Sequence, residues 1–207
     1  MSEPDNQIMR ATAVTLPRPD QMRLSTDSRE AVLLRQVAAG DRPAFESLYS
    51  EYFGRLSRFL GRLTTRREVI EEAVNDTFWI VWQKAGKFRG SSLVSTWIIG
   101  IAYRCGLKAL RRNAVATGAP LAAAEVPGHE PALAEEREDW VSQGLAHLPI
   151  EQRSTLELAY YLGHSCQEIA QIMDCSVGTV KARMFHARVK LRNLLPTLAG
   201  SVPKDLS

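Results

Sequence analysis

The chain has 207 residues, of which 45% are hydrophobic and 24% charged, and its formal net charge is +3. This composition is ordinary for a soluble globular protein, and the length admits one large or two small domains. The three cysteines, Cys105, Cys166 and Cys175, leave an odd thiol without framework spacing, which argues against a disulfide scaffold and for a reducing, cytoplasmic compartment. The N-terminus carries Glu3, Asp5 and Arg10 and no apolar segment, unlike a signal peptide. The longest apolar-rich stretch, near Trp97 to Ala102, is too short to span a bilayer.

The near-balanced total hides an uneven distribution. No acid falls between Asp76 and Glu125, where there are seven bases: Lys84, Lys87, Arg89, Arg104, Lys108, Arg111 and Arg112. Between Asp174 and Asp205 the pattern repeats with Lys181, Arg183, Arg188, Lys190, Arg192 and Lys204. Acids gather elsewhere, at Glu68, Glu71, Glu72 and Asp76 and at Glu135, Glu136, Glu138 and Asp139. Two basic surfaces suggest two contacts with a polyanion, against the alternative of ordinary solvated helix faces.

In chain order, residues 1–26 hold three prolines and no period and are expected to form a flexible tail. Asp27 or Ser28 then offers an N-cap for a first helix that Gly40 stops. Phe45, Leu48, Tyr52, Leu56, Phe59 and Leu63 recur at spacings of three and four and predict an amphipathic helix, weakened by Gly54. Val69, Ile70, Ala73, Val74, Thr77, Phe78, Val81 and Trp82 predict a third helix; a loop, "FRGSS", and a fourth, "STWIIGIAYRCGLKALRR", follow. Residues 113–134, rich in Ala, Pro and Gly, read as a linker. Four further helices follow, the first ended by Pro149, the second by Gly163 and the last by Pro196. No segment reads as a clear strand pair. The expectation is an all-α chain: a tail (1–26), a helical domain (27–112), a flexible linker (113–134), a second helical domain (135–196) and a C-terminal tail (197–207).

The two helices around Asp174, Cys175 and Ser176 have helix-turn-helix spacing. Ile169 and Met173 should face inward, Ala170 should allow close approach, and Ser176 can cap the second helix. Val180, Met184, Ala187 and Leu191 form one buried stripe, leaving Gly178, Ala182 and Phe185 opposite, flanked by Lys181, Arg188 and Arg192 on one side and Arg183, His186 and Lys190 on the other. Small residues at the helix start permit entry into a groove, and long bases reach phosphates and base edges. A purely structural helical hairpin is the alternative. His164, Cys166 and Cys175 lack zinc-ligand spacing, and no phosphate loop, nucleophile elbow or zincin motif occurs. Neither a cofactor nor a metal nor catalytic residues are expected.

"LPIEQRSTLELAYYLGHSCQEIAQIM" followed by "CSVGTVKARMFHARVKLR" resembles region 4 of bacterial RNA polymerase sigma factors, most closely the small extracytoplasmic-function group of the sigma-70 family. "AFESLYSEYFGRLSRFL", "IEEAVNDTFWIVWQKAGKFRG" and "STWIIGIAYRCGLKALRR" resemble regions 2.1, 2.2 and 2.3–2.4 in the same order. The resemblance covers roughly residues 28 to 195. It implies a region 2 helical bundle that binds polymerase core and opens the −10 element, and a region 4 helix-turn-helix that reads the −35 element. By that resemblance Glu71, Glu72, Asn75, Asp76, Trp79 and Gln83 meet the clamp helices of the largest polymerase subunit. Phe88, Arg89, Ser91 and Ser92 match the loop that captures an unstacked −10 base. Trp97, Arg104, Lys108, Arg111 and Arg112 lie on the helix that tracks nearby DNA, although core packing is the competing reading of Trp97. Ser176, Gly178, Thr179, Lys181, Ala182, Arg183, Phe185, His186 and Arg188 fall on the −35 reading surface. The likeness also implies an anti-sigma partner, often membrane-anchored. Arg104 stands where the family usually has Asn, Lys108 where Asp is frequent, and Gly100 and Gly106 are unusual inside this helix. A free-standing helix-turn-helix regulator that never joins polymerase is the alternative function, and a protein–protein adaptor a third.

Overall fold

The computed structural model describes residues 19–117 and 139–199, all in helices or the short turns between them, with no strand among the described residues. The expected tails up to residue 18 and beyond 199, and residues 118–134 of the expected linker, lie outside the described residues. Helix α1 spans Pro19–Ala38, α2 Arg42–Gly61, α3 Arg67–Lys84 and α4 Val94–Thr117. After the linker come α5 (Asp139–Ala146), α6 (Ile150–Leu156), α7 (Cys166–Met173) and α8 (Val177–Ala199).

Local chemistry explains most of these boundaries. Asp41 caps α2 by accepting a 3.0 Å hydrogen bond from the Ala44 amide, with Pro43 in the first turn, where a missing N–H costs nothing. Ala44, Leu48, Tyr52, Leu56 and Phe59 then form the buried stripe. In α3, Thr77 is fully buried and its hydroxyl donates 2.6 Å to the Ala73 carbonyl, which satisfies a polar group inside the core. Ser165 and Glu168 form a reciprocal capping box that starts α7.

Four boundaries differ from expectation. Helix α1 begins at Pro19, so Asp27 and Ser28 lie inside it and neither is its N-cap. Helix α4 continues five residues past 112, to Thr117. Helix α8 does not stop at Pro196 but runs to Ala199; proline removes one hydrogen-bond rung and crowds the carbonyl four residues earlier, a cost that here falls only near the helix end. The helix expected to run up to Gly163 changes from α-helix to π-helix over Glu157–Tyr161.

Helix α4 organises the molecule. Residues Ile98 to Tyr103 are all buried, so this turn and a half has no solvent face. A helix apolar all round must be enclosed on all sides, and α4 packs on α2 and α3 on one side and on α7 on the other. The two helical domains therefore share one core, in which Leu48, Phe59, Val74 and Ile98 connect with Ile169, Ile172 and Val180. A smaller cluster of Leu148, Leu156 and Ala187 holds α5 and α6 against α8.

Polar contacts also cross between the domains. Arg62, just after α2, places Nη1 3.4 Å from Glu157 Oε2 and stacks its guanidinium 3.9 Å from the Tyr161 ring centre. Arg153 Nη2 donates 3.2 Å to the Leu63 carbonyl, and Thr96 Oγ1 donates 3.4 Å to Glu168 Oε1. Glu157 and Arg153 are 4% and 2% exposed. Burial pushes the Glu157 carboxyl above its ordinary range, against the opposing pull of Arg62, and pushes the Arg153 guanidinium down.

Candidate nucleic-acid interface and protein-docking surface

The docking surface is built on α3. Helical geometry divides its expected residues into two directions. Asn75 and Trp79 point toward α2, where they join Phe45, Phe78, Trp82 and Arg42 around an open groove of about 490 Å³. Trp79 is 61% exposed, an apolar side chain that only a partner would cover. Phe45 packs edge-on to Phe78 and Trp82, with ring centres 6.1 and 5.2 Å apart, so the groove wall is fixed by aromatic packing. Tyr49 and the 42%-exposed Phe53 stack 5.4 Å apart beside it. Sequence reading placed Phe45 in the buried stripe and passed over Phe53, although Tyr49 and Phe53, four apart and off that stripe, were legible as an aromatic pair.

The acidic residues of α3 do not form a bare acidic ridge. Glu71 is held 2.7 Å from Arg67 one turn earlier, and Glu72 pairs with Arg112 of α4. Asp76 lines a cleft of about 310 Å³ between α3 and α4 with Lys84, Trp97, Arg104, Cys105 and Lys108. Asp76 of α3 and the bases Arg104 and Lys108 of α4 thus border the same cleft, and Gln83 remains exposed farther along α3.

Before α4, the short 3₁₀ turn Ala85–Lys87 leads into the loop that carries Phe88, Arg89, Ser91 and Ser92. Phe88 packs against Trp97 with ring centres 5.4 Å apart. Both are half-buried against the core, so the structure gives Trp97 a packing role and one free edge. Arg89 and Ser91 are exposed and Ser92 half-buried. Arg104, Lys108, Arg111 and Arg112 are exposed along α4, and among the described residues all but Arg112 have no acid within ion-pair distance. Loop and helix are held together from a distance: Asp27 Oδ1, in α1, accepts a 2.7 Å hydrogen bond from the Val94 amide at the start of α4.

The second surface is the turn and front of α8. Asp174 takes φ 51°, ψ 55°, the left-handed conformation that closes α7, and its amide reaches back to the Ala170 carbonyl. Ser176 Oγ accepts 3.0 Å from the Thr179 amide, which caps α8. Val180 and Ala187 are fully buried with Met184 and Leu191 half-buried, so the predicted inner stripe is the observed one. Ser176, Gly178, Lys181, Ala182, Phe185, His186 and Arg188 are exposed, whereas Thr179 and Arg183 are half-buried. Phe185 is 57% exposed, and its ring lies edge-on to His186 at 5.5 Å. Arg183 turns inward, with Nη1 3.6 Å from Cys175 Sγ.

No described helix is long and apolar enough to cross a membrane. Among the described residues no three His, Cys, Asp or Glu side chains converge as a metal site.

Two basic helical modules, the second a capped helix-turn-helix and the first bearing an exposed aromatic groove, define a two-part nucleic-acid-binding protein. Residues 48–115 match the family model for sigma-70 region 2, and residues 138–191 that for sigma-70 region 4. The chain is 34% identical over 179 residues to the ECF RNA polymerase sigma factor SigM of Mycobacterium tuberculosis, covering 84% of this chain and 88% of the relative. It is 29% identical over 184 residues to the ECF RNA polymerase sigma-E factor of Haemophilus influenzae, covering 82% of this chain and 96% of that one. Among solved structures, CnrH in complex with the cytosolic domain of CnrY aligns with a TM-score of 0.61 at 23% identity, covering 81% of this chain and 97% of that one. The sigma factor RpoE of Bartonella quintana, in complex with the anti-sigma factor NepR, aligns at 0.62, with 23% identity and coverage of 73% and 96%. The chain belongs to the extracytoplasmic-function sigma factors of the sigma-70 family.

Proposed function

We propose that this sigma factor joins RNA polymerase core through the α3 face, opens the −10 element with the Phe88–Ser92 loop and α4, and reads the −35 element with α8. One observation carries the reading: the same chain holds a capped helix-turn-helix with an exposed basic front and a separate module whose exposed Trp79 lines an aromatic groove. A free-standing regulator has no use for that groove.

The division of labour follows from the chemistry. Exposed Lys181, Arg188 and His186 around the small residues Gly178 and Ala182 suit entry of α8 into a major groove. Extruding a base costs a few kcal/mol. The Phe88–Trp97 pair beside the hydroxyls of Ser91 and Ser92 supplies an aromatic edge and hydrogen-bonding groups that offset this. Arg104, Lys108 and Arg111 hold the backbone beside the opened segment, each phosphate contact releasing counterions. RNA synthesis itself is left to the polymerase, in the cytoplasm. A structural neighbour, the sigma factor RpoE solved with the anti-sigma factor NepR, supports control by such an inhibitor.

The test is core affinity. Trp79→Ala and Asp76→Arg should each weaken binding to purified core at least tenfold, about 1.4 kcal/mol, and Trp79→Ala should leave binding to duplex DNA unchanged. Core affinity equal to wild type in both variants contradicts the α3 assignment.

A further inference from the structure

The cleft of about 310 Å³ between α3 and α4 holds opposite charges that do not neutralise each other. Glu71 and Glu72 are each paired with an arginine. Asp76, among the described residues, has no cation within ion-pair distance, although Lys84, Arg104 and Lys108 line the same cleft. Ile101 and Cys105 give it a buried apolar floor, and the half-buried Trp97 adds an aromatic surface. The volume is at the small end of ligand pockets, room for one planar ring system rather than a peptide or a helix. The loop Phe88–Ser92 lies outside its lining, so loop and cleft are separate places.

The fork of Arg104 is laid out in advance. A Cβ on Gly100, one turn earlier, would stand 3.5 Å from Arg104 Nη1 and 3.8 Å from Nη2. The guanidinium therefore lies back along α4, as helical side chains do, toward Trp97 two turns earlier. A residue larger than alanine at position 100 would displace it.

We propose that this cleft is a second pocket, selective for an unpaired guanine nucleotide. The ring enters beside Trp97, the Asp76 carboxylate accepts from N1–H and N2–H₂, the Arg104 fork donates to O6 and N7, and Lys84 and Lys108 meet the phosphates. The proposal rests on the sigma-factor reading above and deepens it, because an opened −10 strand presents unpaired bases.

The charges select the ligand. A site for phosphate alone has no use for a carboxylate, which repels it, and a site for a cation has no use for three bases. A ligand with donors on one edge and acceptors on another satisfies both signs. Guanine is the base with two donors side by side, N1–H and N2–H₂, and two acceptors side by side, O6 and N7; an arginine fork matches the acceptor pair. Unstacked bases are read in this way, by hydrogen bonds to their exposed edges and contact with an aromatic ring. A free guanine nucleotide carries the same chemistry as one within a strand.

The experiment measures binding of the full-length chain to labelled single-stranded thymine decamers with one central guanine, adenine or cytosine. The guanine strand should bind at least about fivefold tighter than the other two. Arg104→Lys keeps the charge and loses the fork, and Asp76→Ala removes the acceptor. Each should lower the preference below about twofold, while continued binding of an all-thymine strand shows that the variant is folded. Competition by guanosine 5′-monophosphate separates the sources: displacement of the guanine strand assigns the pocket to free nucleotides as well, and its absence assigns the pocket to the strand. No guanine preference among the strands together with no binding of the monophosphate, or a preference that survives both substitutions, overturns the pocket. Initiation with core polymerase is scored separately: a guanine-selective chain that never initiates refutes the sigma-factor reading and leaves the pocket standing.

Discussion

Asp27 and Val94, 67 positions apart, are joined by a 2.7 Å hydrogen bond from the Val94 amide to the Asp27 carboxylate. The first amides of a helix have no partner within it, and α4 draws its acceptor from α1, immediately after the loop proposed to hold an unstacked base. Asp27→Ala should cost about 1 kcal/mol, which for a chain of this size lowers Tm by roughly 2–4 °C. Amide hydrogen exchange should quicken at Ser92 to Thr96 more than in α2. Uniform exchange across both regions would contradict the capping role.

Glu30 gives a pH prediction. It is 3% exposed against Tyr52, and burial raises its carboxyl above the ordinary 4.5, with Glu51 and Asp27 adding to the rise and Tyr52 and Arg55 opposing it. A carboxyl whose folded pKa exceeds its unfolded one stabilises fully below the unfolded value and loses that stability as pH rises through the folded value. Glu30→Gln, neutral throughout, should therefore gain in Tm relative to wild type from pH 5 to pH 8. A constant difference between the two melting curves across that range contradicts it.

The two glycines of α4 should respond oppositely to alanine. At Gly106 a Cβ would stand 2.6 Å from Leu60 Cδ2, inside the core, so Leu60 must move. Overpacking costs about 1–3 kcal/mol, which exceeds the propensity gain of about 1 kcal/mol. Gly106→Ala should lower Tm, whereas Gly100→Ala, with its nearest contact at 3.5 Å, should hold or raise it. Thermal melts of the two variants check this, and equal shifts would contradict the packing described.

On α8, Lys181 is exposed and Arg183 turns inward. Lys181→Ala should weaken duplex binding by free chain and lower the salt slope by about one. Arg183 is half-buried beside Cys175, so Arg183→Ala should weaken duplex binding less than Lys181→Ala. Titrations of wild type and the two variants at two salt concentrations check this, and equal losses would contradict it.

These residues also show what the sequence disclosed. The inner stripe of α8 and the Ser176 cap were legible because both depend on neighbours within one or two turns. The sharing of α4 between domains left a trace whose meaning went unread: Ile98 to Tyr103 has no polar face, and Gly100, noted as unusual in a helix, lies against Ile172 of α7. Asp27 looked like a local cap because a cap is normally local, and its true partner lies beyond any periodicity. The π-helical turn at Glu157–Tyr161 has no pattern of its own; it carries Glu157 and Tyr161, which meet Arg62 of the other domain.

Initiation by purified core polymerase on fragments of the organism's own genome, with and without this chain, tests the proposed function most directly. The prediction is a set of transcripts that appear only with the chain, start downstream of shared −35 and −10 sequences, and vanish with Asp76→Arg. Identical transcripts with and without the chain would contradict it.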